Sequence, residues 1–273
     1  MREQHTPDIS PERFSRALTS ERLRVELAEA VLTVTIDRPE KRNALDRQAI
    51  SELGAVFLDA AERTDILFAL LRGAGNKSFA AGGDLKDLAA VQSAAEATDM
   101  ATLAKSAFQA IRDFPTPVIA VLNGDALGGG AELAVACDMR VADRHARIGF
   151  IQGRLNITTA WGGCNDLTRL LGPARALRLL SRSEMLNAEA ALDIGLVDFV
   201  AHEGQSLEDA EREFTTPISR QSRHVLKAFK GLVHGAKNSA REVTDNLETA
   251  QFAEAWVHDD HWAAADKLLA KMG

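Results

Sequence analysis

Two glycine-rich segments carry the residues best suited to chemistry. The first, Ser78–Leu85, reads SFAAGGDL, and the second, Asn123–Glu132, reads NGDALGGGAE. Paired glycines let the backbone approach a ligand closely, and glycines that open a helix add free N–H donors and the positive end of its dipole. Two segments that each give one N–H to the same oxygen would form a hole for a thioester enolate. Taken singly, each segment is better explained as a tight turn, but the two together, with an acidic residue just past the second, favour the functional interpretation.

The titratable group closest to this pattern is Glu132. It lies in the first turn of a helix predicted to begin at Gly128–Gly130. A carboxylate there could move a proton or orient water beside a bound thioester. It could also complement the helix dipole, which contributes ~0.3–1 kcal/mol. Spacing alone does not decide between these two roles.

Strand and helix patterns alternate around the two segments, which favours an α/β core. Apolar residues recur at helical spacing after Asp46, which is suited to cap that helix. Pro173 suits the first turn of a helix, and Asn187 and Gly195 bracket another. The predicted strands are Arg24–Ile36 with a turn near Ala28–Ala30, Ile66–Leu71, Val118–Leu122 and Val197–Ala201.

The chain divides into three predicted parts. Residues 1–22 are a polar lead-in, residues 23–204 form the core that holds the site, and residues 205–273 are helix-prone. The helical patterns of the last part lie around Val225–Val233, Ala240–Val257 and Trp262–Met272. In this part, the tetrad His258–His261 has metal-ligand residue types, but a solvated turn is the interpretation that its polar context favours.

Charge and composition exclude several classes of protein. The formal net charge of −7 argues against a nucleic-acid or anionic-membrane surface, which would need a basic stripe. Two cysteines imply no disulfide framework and fit a reducing compartment. No apolar run reaches membrane-spanning length, and the N-terminal residues lack the apolar region of a secretory signal. We therefore expect a cytoplasmic protein that binds neither nucleic acid nor membranes.

The order of the motifs resembles the crotonase (enoyl-CoA hydratase/isomerase) superfamily. The matching stretches are RPEKRNAL, SFAAGGDL, NGDALGGGAELAVACDMRVAD, AWGGCNDLTRLLGPARALRLL and NAEAALDIGLVD. The resemblance implies an α/β fold, a crotonase-like spiral of ββα units, with a C-terminal helical region that builds a homotrimer or a dimer of trimers. It implies an oxyanion hole from the N–H groups of Gly83 and Gly129, and it places Glu132 at the first catalytic glutamate.

The same resemblance locates a site for an acyl-CoA thioester. Adenine and pantetheine would lie along the 38–45 and 79–84 backbone, and basic residues near the C-terminus of another subunit, Lys267 or Lys271, would meet the phosphates. Coenzyme A belongs to the substrate, so we expect no separate cofactor and no metal. The substrate-binding residues implied are Lys41, Arg42, Ala44, Ala81, Asp84, Leu85, Gln152 and Trp161.

Two positions depart from the hydratase pattern. The second glutamate of family hydratases falls at Gln152, and an amide cannot act as a general acid or base near neutral pH. Trp161 stands before Gly162-Gly163 where hydratases usually have alanine, which looks like the ethylmalonyl-CoA decarboxylase branch. A plain core or pocket-wall role is the interpretation of Trp161 that we favour. We therefore expect a lyase that hydrates 2-enoyl-CoA, with two alternatives: a decarboxylase of a malonyl-type acyl-CoA, or a non-catalytic acyl-CoA-binding protein.

Overall fold

The computed structural model describes most of the chain continuously and its C-terminal part in pieces. The lead-in predicted for residues 1–22 lies almost wholly outside the described residues. Those described are 20–237, 246, 249–250, 252–253, 256–257 and 259–270.

A six-stranded sheet forms the larger half of the core. Strands β1 (Leu23–Ala28) and β2 (Val31–Ile36) form an antiparallel hairpin, whose turn residues Glu29 and Ala30 have positive φ. The following strands join in parallel in the order β1-β2-β3-β5-β7-β10. They are β3 (Phe68–Gly73), β5 (Val118–Leu122), β7 (Met139–Ala142) and β10 (Phe199–Val200). Strand β3 therefore begins and ends two residues later than the predicted Ile66–Leu71, and β10 is shorter than the predicted Val197–Ala201.

A smaller four-stranded sheet contains the N-terminal parts of both glycine-rich segments. Its order is β4-β6-β8-β9, with β9 antiparallel to β8 and the other neighbours parallel. The strands are β4 (Ser78–Ala80), β6 (Asp125–Leu127), β8 (Arg147–Gly149) and β9 (Met185–Asn187). Because β4 and β6 are parallel neighbours, the segments that follow them leave the sheet at the same edge.

Helices cover the sheets, and several begin where the sequence predicts. Asp46 caps α1 (Arg47–Ala61) by accepting the Ala49 N–H at 2.7 Å, and Asn187 caps α7 (Ala188–Asp193) through the Ala190 N–H. The remaining helices of this region are α2 (Leu85–Leu88), α3 (Ala94–Arg112), α4 (Gly129–Ala136), α5 (Gly163–Leu171) and α6 (Pro173–Ser181), with short 3₁₀ helices at Pro39–Lys41 and Gln152–Leu155.

The described stretches of the C-terminal part are helical as predicted, whereas most of the helical pattern at Ala240–Val257 lies outside the described residues. The C-terminal part contains α8 (Leu207–Ser219), α9 (Arg223–Lys237) and α10 (Asp259–Leu269). Leu207 and Ala210 of α8 pack on the face of the large sheet that points away from the main core. None of the helices in the described part of the chain is both long enough and apolar enough to cross a bilayer.

The interpretation of His258–His261 as a solvated turn is wrong for His261. That residue lies inside α10 and is only 2 % exposed, whereas His258 lies outside the described residues. The ring is buried because it packs against Trp256 and Trp262, contacts that the polar local sequence does not reveal.

Candidate active site

The predicted CoA segments 38–45 and 79–84 pair along their backbones. The Ala81 N–H donates to the Arg42 carbonyl at 3.1 Å, the Leu45 N–H to Gly82 at 2.8 Å, and the Asp84 N–H to Leu45 at 2.9 Å. Arg42 adopts a left-handed conformation, so the chain reverses there. This pairing brings the predicted substrate residues Lys41, Arg42, Ala44, Ala81 and Asp84 together.

The 38–45 segment is also held by Asn43, which has a left-handed conformation of the kind Asn tolerates. Its side-chain oxygen accepts the Arg38 N–H at 3.1 Å, and its amide nitrogen donates to the carbonyls of Ala74 and Ser78 at 3.0 and 2.7 Å. The buried Asn43 side chain thus fixes the segment against the strand that precedes Gly83.

The two glycine-rich segments touch at the start of α4. A β-carbon on Gly130 would lie 1.9 Å from the Ala80 carbonyl oxygen, and one on Gly82 would lie 3.5 Å from the Gly129 nitrogen. At position 130, only a residue without a side chain permits this approach. Across residues 20–237, the structure records no hydrogen bond within the chain from the N–H of either Gly83 or Gly129, so both donors remain for a ligand.

The Trp161 ring packs over both of these glycines. A β-carbon on Gly129 would lie 2.0 Å from Trp161 Cζ3, and one on Gly83 would lie 3.4 Å from Trp161 Cη2. The ring is 5 % exposed and meets Phe108 edge-to-face, with centroids 5.7 Å apart. Trp161 is therefore a wall of the site, and the absence of a side chain at position 129 makes room for it.

The Glu132 side chain is buried and held in one orientation. Its Oε2 accepts the N–H groups of Trp161 and Gly163 at 2.8 and 2.9 Å, and its Oε1 accepts the Gln152 amide nitrogen at 2.8 Å. A β-carbon on Gly163 would lie 2.3 Å from Glu132 Cγ, so a glycine is needed at that position. These hydrogen bonds satisfy the negative charge of a carboxylate that is 2 % exposed.

Gln152 completes this cluster with an oxygen that has no partner. Its amide nitrogen faces Glu132, while its Oε1 is buried and accepts no hydrogen bond among the described residues. The whole residue is 8 % exposed. A buried acceptor without a partner costs about 1–3 kcal/mol, which points to a donor that the site receives from outside the chain.

A buried ion pair supports the Trp161 loop. Arg112, at the end of α3, donates to Asp166 Oδ2 at 2.6 Å and to the Trp161 carbonyl at 3.2 Å. The Arg112 side chain is 5 % exposed. Neither residue was predicted from the sequence, because nothing local in the chain indicates a contact between positions 54 apart.

Asp84 links the CoA segments electrostatically. Its Oδ2 accepts hydrogen bonds from Arg38 at 2.9 Å and from Lys41 at 3.2 Å, and its Oδ1 caps α2 through the Lys86 N–H. Burial would raise the pKa of Asp84, but the hydrogen bonds from Lys41 and Arg38 outweigh it and lower its pKa below the ordinary value.

We expect Asp84→Asn to lower the free energy of unfolding at pH 7 by about 1–2 kcal/mol, because the buried Arg38 loses a charged partner. The folded-state pKa of Asp84 is depressed, so its contribution is present above about pH 4 and is lost as the pH falls through the folded-state pKa. Urea unfolding of both proteins from pH 7 down to about pH 3 measures this. The exposed Asp193→Asn serves as the control, and a difference that persists unchanged at low pH contradicts the assignment.

Comparison with known proteins identifies the family. A sequence model described as enoyl-CoA hydratase/isomerase matches residues 26–267, most of the chain. The chain belongs to the enoyl-CoA hydratase/isomerase family. It is 32 % identical over 241 residues to the short-chain-enoyl-CoA hydratase of Clostridium acetobutylicum, covering 88 % of this chain and 92 % of that protein. It is 35 % identical over 192 residues to the crotonyl-CoA hydratase of Syntrophomonas wolfei, covering 70 % and 74 %.

The fold agrees with solved structures of the enoyl-CoA hydratase/isomerase family. An enoyl-CoA hydratase from Bacillus halodurans superimposes with a TM-score of 0.82 at 23 % identity, covering 90 % of this chain and 99 % of that one. This likeness confirms the crotonase-like α/β fold expected from the motifs. The family model and the sequence relatives make the protein an enoyl-CoA hydratase-like lyase.

The predicted site residues of this family member fall into three places. Gly83, Gly129, Glu132, Gln152 and Trp161 form one cluster around the two free N–H groups, and the CoA segments adjoin it. Leu85 lies on the wall of a neighbouring cavity. Lys267 is exposed on α10, and Lys271 lies outside the described residues.

Proposed function

We propose that this enoyl-CoA hydratase-like enzyme adds water to the double bond of a 2-enoyl-CoA with a single carboxylate. The observation that carries the proposal is the position of Glu132, held by hydrogen bonds from Gln152, Trp161 and Gly163 in the same helix turn that begins with the unpaired Gly129 N–H. A proton acceptor and an anion-binding donor thus lie side by side. No separate cofactor takes part, since coenzyme A enters with the substrate.

The N–H groups of Gly83 and Gly129 form the oxyanion hole in this mechanism. The thioester carbonyl oxygen accepts both hydrogen bonds, and these strengthen as negative charge develops on the oxygen in the enolate. Trp161 packs against both glycines and keeps bulk water away from them, which strengthens the interaction in a site of low dielectric.

Glu132 moves the proton. As the water oxygen bonds to C3, one water proton passes to Glu132 and the electron pair of the double bond shifts into the thioester enolate. The protonated Glu132 then returns this proton to C2, so water is added and the carboxylate is restored. We assign the transfer to Oε1, because Oε2 accepts two backbone hydrogen bonds.

Gln152 orients the attacking water. Its unpartnered Oε1 accepts a hydrogen bond from the O–H of water whose proton is not transferred, and its amide nitrogen donates to Glu132 and holds it in place. The same geometry argues against decarboxylation of a malonyl-type substrate. The substrate carboxylate would face the Gln152 Oε1, and two hydrogen-bond acceptors repel each other. Gln152 thus supports the water without itself exchanging a proton.

Mass spectrometry with crotonyl-CoA and methylmalonyl-CoA in one mixture tests the proposal. We expect crotonyl-CoA to gain the mass of water and methylmalonyl-CoA to stay unchanged. Loss of carbon dioxide from methylmalonyl-CoA instead would assign the decarboxylase alternative. Tight binding of both thioesters with no change in either would assign the non-catalytic alternative.

A variant of Gln152 sharpens this assay. Gln152→Leu removes the oxygen that orients water and the amide that steadies Glu132, so we expect kcat for hydration to fall by about 10–100-fold. KM should change little, because the oxyanion hole and the CoA segments are untouched. Equal kcat in Gln152→Leu and the wild type contradicts the role given to Gln152.

We also propose a homotrimer or a dimer of trimers in the cytoplasm. Phe229, Leu232 and Val233 of α9 are exposed by 60, 73 and 53 %, and such a cluster of large apolar side chains favours burial against another subunit. Lys267 of a neighbouring subunit would then be available to the CoA phosphates.

A further inference from the structure

A cavity of about 400 Å³ lies beyond the oxyanion hole, between α2 and α10. Leu85, Leu88 and Ala89 form one wall, and Trp256, His261 and Trp262 form the other. A β-carbon on Gly83 would lie 2.5 Å from Leu88 Cδ1, so Leu88 separates the cavity from the hole. If the thioester oxygen of a substrate accepts the Gly83 N–H, its acyl chain lies next to this cavity.

One ring nitrogen of His261 is fixed by the chain. His261 Nδ1 lies 2.9 Å from the Leu155 carbonyl oxygen, which only accepts, so Nδ1 carries a proton. The ring lies against Trp256 with centroids 4.6 Å apart, and the Trp256 indole is itself held by its N–H bond to the Val91 carbonyl at 2.8 Å. The imidazole therefore has a fixed orientation.

The other nitrogen, Nε2, is left as an acceptor. In the neutral ring it carries a lone pair, and among residues 20–237 and the described positions of the C-terminal part it has no hydrogen-bond partner. Asp266 adds negative charge to the lining, and no described lining residue is Lys or Arg. A cavity that offers an acceptor and a carboxylate favours a hydrogen-bond donor over an anion.

We propose that His261 selects acyl groups that carry a hydroxyl at the end distant from the thioester. The hydroxyl donates to His261 Nε2 while the rest of the chain contacts Leu85, Leu88 and the indoles. This inference rests on the proposed function for the placement of the thioester, and it names the class of substrate that the site prefers. His261 acts in it as a specificity-determining residue and takes no part in proton transfer.

Binding of saturated thioesters tests this inference without turnover. Pairs of ω-hydroxyacyl-CoA and alkanoyl-CoA with equal numbers of chain atoms, in a series of lengths from butanoyl to decanoyl, are titrated by calorimetry. At the length that fits the cavity, we expect the wild type to bind the hydroxyl compound about tenfold more tightly. His261→Phe should bind both members of that pair within about twofold, and the exposed His224→Phe should behave as the wild type.

Two results overturn the inference: equal affinity for both members of every pair in the wild type, or a preference that survives in His261→Phe. If the phenylalanine variant fails to fold, His261→Gln, which keeps an amide oxygen as acceptor, is measured instead. It should retain at least about a threefold preference, and complete loss of preference there counts against the proposal. Failure of crotonyl-CoA hydration alone contradicts the proposed function and leaves this binding preference standing.

Discussion

We expect replacement of Glu132 with Gln to lower kcat for crotonyl-CoA hydration by about 10³-fold, within the range typical of a lost general acid–base. The amide can neither take the proton from water nor return it to C2. The variant still folds, because its amide oxygen can accept the N–H groups of Trp161 and Gly163 that Glu132 accepts. The Gln152 amide then turns over so that its oxygen faces the new amide nitrogen.

Steady-state kinetics measures kcat, and calorimetric titration with a saturated acyl-CoA measures the dissociation constant. We expect the dissociation constant to stay within about threefold of the wild-type value, since the loss concerns a proton that moves only in the reaction. The exposed Glu189→Gln is the matched control. A kcat within tenfold of the wild type in Glu132→Gln would show that another group transfers the proton.

Gly129→Ala is the substitution expected to damage the oxyanion hole most directly. The new methyl group would lie 2.0 Å from Trp161 Cζ3, so either the indole or the first turn of α4 has to move. A displaced Gly129 N–H no longer meets the developing oxyanion, which costs about 10²–10³ in kcat. Overpacking of this kind also destabilises the fold by about 1–3 kcal/mol.

A second substitution separates the steric cause from the loss of the donor. Trp161→Leu removes the ring that the methyl group meets, so the double variant should recover part of the activity and stability lost in Gly129→Ala. Gly231→Ala is the control, because its β-carbon would have no neighbour within 4 Å. Strict additivity of the two substitutions in kcat and in the free energy of unfolding would contradict the contact between Trp161 and position 129.

The parts of the fold that follow from short-range chemistry could be predicted from the sequence. Asp46 and Asn187 cap their helices because their side chains reach N–H groups three residues ahead. Helix α3 was missed, although Ser93 and Glu96 form a capping box at its start. Strand ends were less predictable, since pairing with a neighbouring strand decides them.

The candidate site likewise has residues that the sequence predicts and contacts that it does not. The glycine motifs located Gly83, Gly129 and Glu132, because each motif is continuous in the chain. The partners of Glu132 come from residues 20 to 31 positions later, and His261 meets Leu155 across 106 positions. Contacts of this range depend on how the sheets and helices pack, which no local pattern expresses.

Position 161 serves the site in two separable ways. Its peptide N–H holds Glu132, whereas its indole ring shapes the space over the two glycines. A substitution of the side chain keeps the peptide group, so the shape of the pocket can change while Glu132, the proposed proton-transfer residue, stays in place. Residue 161 is therefore the natural position at which evolution, or a designed library, alters the range of acyl groups without rebuilding the catalytic machinery.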